Sequence, residues 1–200
     1  MTCHFTWIDS PLPVDALGGA LWRLLGATAG EDAILGIDDQ HDSKAQEALL
    51  RQLKQTLAGG GHLLIGSVHG RLVVACVLKP QSLPTTCHLA ELQKGVIAPE
   101  YRGQGLLPAA LRQITEKARQ LGVSRLLLDV RAGSLPHRLW QHWGFRTFGV
   151  LEDYARHNGE VFAGHFMQQS VDDLAIRVAR RLNKSRYPKD TGATTASSDQ

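Results

Sequence analysis

Cysteine is scarce in this chain of 200 residues: Cys3, Cys76 and Cys87 are odd in number and lack C-x-x-C spacing. That argues against a disulfide framework or a thiol zinc site and suits a reducing cytoplasm. Long apolar runs are missing too. The longest, Leu72 to Leu78, is far too short to span a membrane, so no membrane role is expected. The start, MTCHFTWIDSPLP, has neither a basic stretch nor an apolar one, so no secretory leader is expected. Charge of one sign is also lacking: the net is +3, and residues 172–200 carry most of it. The nearly neutral body speaks against a nucleic-acid surface. No H-E-x-x-H occurs, and His137 and His142 stand five apart, off a common helical face, so no metal site is expected. No G-x-S-x-G and no recognisable Cys–His pair suggests a covalent nucleophile.

What remains is an ordinary globule, 43% hydrophobic and 20% charged, of one-domain length and without internal repeats. Alternation predicts a strand over Cys3 to Asp9. Apolar spacing predicts helices over Asp15 to Leu25, where Gly18 and Gly19 weaken the pattern, and over Ser43 to Leu57, where Ser43 and Gln46 have capping-box spacing. His69-Gly70 joins two strands, His62 to Val68 and Arg71 to Leu78. A strand over Cys87 to Ile97 precedes a helix over Leu106 to Leu121, ended by Gly122. Strands over Arg125 to Val130, Phe145 to Val150 and Val161 to Val171 enclose a helix over Ser134 to Trp143.

The sharpest local pattern is VIAPEYRGQGLL, Val96 to Leu107, between an apolar strand and a helix. Gly103 and Gly105 permit a tight turn that exposes N–H groups at a helix start, an anion site suited to a pyrophosphate. A P-loop would need G-K-S/T, and a dinucleotide fingerprint would need glycine where Pro108 stands. Two glycines alone also read as a loop that merely starts a helix.

The flanking residues extend the pattern. Arg102-Gly103-Gln104-Gly105 resembles motif A of the GNAT superfamily of N-acetyltransferases, Q/R-x-x-G-x-G/A, with Leu107 in place of the last small residue. Leu139 to Phe145 resembles the family's L-Y-x-x-x-G-F block, with Trp140 in place of tyrosine. Three blocks, HLAELQKGVIAPEYRGQG, LLLDVRAGS and GVLEDYARHNGEVFAGHFMQ, resemble the tabtoxin-resistance type of acetyltransferase.

The resemblance implies a single α/β domain over 1–171, a central, mixed, largely antiparallel sheet flanked by helices. It implies acetyl-CoA as cosubstrate, its pantetheine along Val96 and Ile97 and its pyrophosphate over Arg102, Gly103, Gln104, Gly105, Leu106 and Leu107. Glu91 and Asp129 match acidic positions of the tabtoxin-resistance group, which implies catalytic roles: drawing in an ammonium group and accepting its proton. Each sits in an apolar strand-like run, where an unpartnered carboxylate is costly to bury. A salt bridge to Lys94, Arg125 or Arg131, or an edge position, would also explain them. Tyr154 and Trp140 are candidates for the substrate pocket. Indole N–H can donate a hydrogen bond but cannot act as an acid at neutral pH. The expected reaction is direct attack by a small amino-acid-like or antibiotic-like primary amine. The alternative is an acyl-CoA-binding sensor, or a very slow enzyme, because of Trp140. GNAT domains often pair, so a homodimer is open. Residues 172–184 predict a basic amphipathic helix that docks through Leu174, Val178 and Leu182, a reading preferred over contact with nucleic acid or an acidic partner. Residues 185–200 predict a disordered tail.

Overall fold

The structure is a computed structural model and describes residues 2–27 and 42–186, the side chains of 184–186 excepted. Most of the predicted tail therefore lies outside the described residues. In chain order the elements are β1 His4–Ile8, α1 Val14–Gly26, α2 Ser43–Ala58, β2 His62–Val68, β3 Arg71–Pro80, β4 Leu89–Ile97, α3 Leu106–Gln120, β5 Arg125–Arg131, α4 Leu135–His142, β6 Arg146–His157, β7 Glu160–Ser170 and α5 Val171–Arg186. The strands form one sheet in the order β1-β2-β3-β4-β5-β7-β6. Every neighbouring pair is antiparallel except β4–β5.

Registers fix which side chains share a face, because directly opposed residues project to the same side. One face carries Leu63, Ala75 and Val77, which line a small apolar hollow with Leu21 and Leu25 of α1 and Leu49 and Leu53 of α2. The other face carries Leu64, paired with Trp7. Lys117 of α3 lies 5.5 Å above the Trp7 ring and is hydrogen-bonded to Asp9, so α3 covers that second face. Leu111, Ile114 and Ala118 of α3 are buried against it. α5 packs on α3 through Val171, Leu174 and Val178, and Arg119 is paired with Asp172. The helix thus docks by the stripe read from the sequence, and it runs two residues past the predicted 184.

Two local expectations change. The cap of α2 is Asp42, whose Oδ1 accepts from the N–H groups of Lys44 and Ala45 at 2.9 and 3.1 Å, so the helix starts at Ser43 without a capping box. An aspartate in extended conformation does this by bonding the orphan donors of the first turn. Gly18 is not a weak point of α1. A Cβ there would lie 2.8 Å from Leu50 Cδ1, so the Leu50 side chain of α2 occupies the space the glycine leaves on α1.

Candidate active site: a slot through the sheet

β4 and β5 pair only over Leu89, Ala90 and Glu91 against Arg125, Leu126 and Leu127. Beyond that point β4 continues to Ile97 and β5 to Arg131 without pairing, and a gap opens between them. Its cause lies on the other side of β4. The β3–β4 register slips between Ala75 and Val77, and Lys94 and Gly95 together oppose Cys76. This bulge, with Lys94 at φ 50°, bends the strand away from β5. Lys94 lines the leucine hollow beneath α1 and α2, where burial lowers its pKa.

A backbone donor faces the gap. Ala98 N–H donates to Val73 O on β3 at 2.9 Å. Donors alternate along a strand, so the Ile97 N–H is turned the other way, into the gap. The Ile97 carbonyl, on the same side, accepts from Arg102 Nε at 3.2 Å. Arg102 is thereby tied to the end of β4, while Gln104 Nε2 donates to Glu100 O at 2.8 Å and an Arg71–Glu100 ion pair braces the turn. Gly103 and Gly105 have φ of 74° and 81°, and the space where their Cβ atoms would sit is open. Glycine is required there for backbone conformation. Gly105 begins α3 without a side-chain cap. The first N–H groups of the helix have no acceptor within it, and they face positive-dipole-first toward any anion at the loop. Val96 is buried, and Leu106 and Leu107 pack against the core, so the larger Leu107 is accommodated inward.

The sequence-derived residues separate onto two faces. Trp140 stands on the α3 face: a Cβ at Gly95 would lie 3.9 Å from its ring and 3.8 Å from Cys76 Sγ. Phe145 holds the indole edge-on at 5.0 Å. On the α1–α2 face, Glu91 is opposite Lys79 and Leu127, and Asp129 is opposite Phe166. Asp129 accepts a hydrogen bond from the Tyr154 hydroxyl. Burial, then that bond and the negative charges of Asp129 and Glu91, push the Tyr154 hydroxyl above the usual phenol range, so it stays a proton-bearing donor. Glu91, Asp129 and Tyr154 therefore form one cluster, and Trp140 faces the slot from the other side.

Neither carboxylate is fully buried, contrary to the expectation from their apolar runs. Asp129 is exposed because β5 has lost its β4 neighbour there, and Glu91, at the last paired position, is half-buried. Of the expected structural partners, Arg125 donates to Gln168 Oε1 at 2.7 Å, and Arg131 lies 4.2 Å above the Phe162 ring.

Tyr154 owes its place to two features that sequence reasoning missed. β6 is a strand of 12 residues, extending well past Val150, and its register slips between Leu151 and Ala155. That bulge turns Tyr154 inward onto Gly164, where any Cβ would fall inside the tyrosine ring. The usable signal was Asn158-Gly159, at φ 51° and 81°, a hairpin turn that fixes the strand pairing.

Beneath α4, the His137 and His165 rings stack with centroids 4.2 Å apart, and Gly133 N–H donates to His137 Nδ1 at 3.2 Å. Burial first, then the charges of His165 and Arg138, lower the His137 pKa. Thr147 bonds His165 Nδ1 from β6 at 2.9 Å. The folded state thus binds this proton less readily than the unfolded chain. Stability is complete above the unfolded histidine value of about 6.5 and is lost as pH falls from there toward the lower folded value. The urea midpoint should drop between pH 7.5 and 5, and drop less in His137→Gln; equal drops in both proteins would acquit His137.

Among the described residues no group of three metal-ligating side chains is assembled, and no helix is long and apolar enough to cross a membrane.

The overall fold is shared with acetyltransferases of known structure. A GNAT-family acetyltransferase of Streptococcus pneumoniae aligns over 84% of this chain and 99% of its own, with 19% identity and a TM-score of 0.66. A Salmonella typhimurium structure, described as a putative acetyltransferase with its cofactor acetyl-CoA, aligns over 86% and 95%, with 17% identity and a TM-score of 0.66. At these identities the likeness concerns the fold. In sequence, residues 32–145 match the acetyltransferase (GNAT) family, and the chain belongs to that family. A Bacillus subtilis protein, described as a putative alanine N-acetyltransferase of ribosomal protein bS18, is 33% identical over 72 residues, 36% of this chain. The match spans about half of that relative's length, 48%.

Proposed function

We propose that this chain is an acetyl-CoA-dependent N-acetyltransferase of the tabtoxin-resistance type, acting in the cytoplasm on a primary amine of a small, amino-acid-like molecule. The observation that carries the reading is the placement of the Asp129–Tyr154 pair on one face of the slot, with Glu91 beside it, while Trp140 and the start of α3 lie toward the other. The donor pyrophosphate would rest on Arg102 to Leu107 and its pantetheine along Val96 and Ile97. The Ile97 N–H then points at the thioester oxygen, where negative charge grows during attack.

The amine enters from the α1–α2 face as an ammonium, attracted by Glu91 and Asp129. Asp129 takes a proton, and the neutral nitrogen attacks the thioester carbon. A C–N bond forms, the C–S bond breaks, and the second proton leaves the nitrogen through water. Tyr154 holds one carboxylate oxygen and so orients the other. The leaving thiolate takes its proton from water, since Trp140 cannot supply one. With an intrinsic thiol pKa of about 8.5, that departure needs little help.

The test is calorimetric titration with acetyl-CoA, followed by a panel of small amines and a peptide with N-terminal alanine, read as CoA release. Saturable acetyl-CoA binding with turnover of small amines is expected. Turnover of the peptide alone would move the acceptor to a protein N-terminus. Binding without any turnover would favour the sensor reading that Trp140 raises.

A further inference from the structure

We infer that the acceptor carries an aromatic or bulky apolar group a short distance from its amine, and that this group lies in a trough over Phe166. The inference rests on the acetyltransferase reading for the identity of the amine site, and adds to it the class of amine.

Reading across the sheet from Asp129, the next residue on the same face is Phe166 of β7, and the next is Gly149 of β6, the edge strand. Gly149 has no side chain to set over Phe166. A Cβ there would sit 3.9 Å from Phe166 Cβ, at ordinary contact distance, so packing does not demand glycine. The backbone does not demand it either, since Gly149 does not adopt the left-handed conformation that favours glycine. The channel we infer follows this row, from the Asp129 carboxylate past Phe166 to the sheet edge, where β6 sets no side chain.

Aromatic rings flank this channel along the strands. Tyr154 meets Phe166 edge-on, with centroids 6.3 Å apart, and Phe148 lies at 6.5 Å on the other side. Phe148 is the extra residue of the first β6 bulge, between Thr147 and Gly149, and remains 58% exposed. An exposed phenylalanine beside a half-buried one, with a carboxylate at one end, is a surface for an amine with an apolar arm. The ammonium pairs with Asp129, and the arm displaces water from Phe166 and Phe148 and takes an edge-to-face arrangement with them. A short polar amine would fill only the carboxylate end.

Phenethylamine and ethylamine are the probes, compared through kcat/KM for CoA release. The wild-type protein should prefer phenethylamine by about tenfold or more, the scale on which apolar pockets discriminate. Gly149→Val fills the channel with a residue that strands accept readily. It should reduce the preference by about tenfold, and Phe148→Ser by a smaller factor. Acetyl-CoA affinity, measured by calorimetry, reports that each variant is folded. A wild-type preference near unity, or one that Gly149→Val leaves intact, overturns the inference. If no amine is turned over, acetyl transfer is the reading that has failed, and equilibrium dialysis of phenethylamine decides the trough separately. Binding by wild type but not by Gly149→Val supports it; equal binding by both, or by neither, overturns it.

Discussion

Asp129→Asn should lower kcat/KM for acetyl transfer by about 10²–10⁴-fold, the range that a positioned general base supplies. Asparagine keeps the size of the side chain and an oxygen for the Tyr154 hydroxyl, so the cluster can keep its shape while losing its proton acceptor. The affinity for acetyl-CoA should be unchanged, because Asp129 stands on the face of the sheet away from Trp140 and from the α3 start. Tyr154→Phe gives the companion measurement. Removing one hydrogen bond to the carboxylate should cost about 3–10-fold, the equivalent of a typical net hydrogen bond. If Asp129→Asn retained more than about a tenth of wild-type activity, Asp129 would be a binding group, and the base would have to be sought at Glu91.

The second large effect is expected at the phosphate loop. Gly105→Val places a β-branched residue where the backbone has φ 81°. That conformation costs about 1–3 kcal/mol for a non-glycine residue. The space around the missing Cβ is empty, so no clash arises, and the loop can relieve the strain by rotating out of the left-handed region. Rotation turns the first N–H groups of α3 away from a pyrophosphate. Acetyl-CoA should bind about tenfold more weakly or worse, at little loss of thermal stability. Unaltered affinity would mean that the donor is held elsewhere along β4.

The parts of this fold that the sequence made legible are those with a periodic buried face or a turn of fixed chemistry. The α3 stripe of Leu111, Ile114 and Ala118, the His69-Gly70 turn and the Leu174–Val178 stripe of α5 all produce their expected elements. Pattern reading found the start of β6 but ended it at Val150, because an edge strand with solvent on most of its length shows no alternation of apolar and polar residues. Glu91, Asp129 and Tyr154 could be singled out by resemblance and are brought together in the structure. The premise of burial failed because the strands part beside Asp129, and parting depends on a bulge at Lys94 and Gly95 that no local pattern announces. Gly149 and Gly164 look alike in the sequence. One sits beneath a tyrosine and the other beside an uncovered phenylalanine, and only the register of three strands distinguishes them.

The slot has a consequence for traffic. For the reaction proposed above, it is one opening with two mouths, one for the donor and one for the amine. After the C–N bond has formed, the thiol and the acetylated amine would lie on opposite sides of a single layer of backbone. Neither has to wait for the other to clear a common doorway. The order in which they depart follows from how tightly each is held: the thiol by the loop and β4, the amide by what remains once its positive charge, and with it the pull of Glu91 and Asp129, has gone.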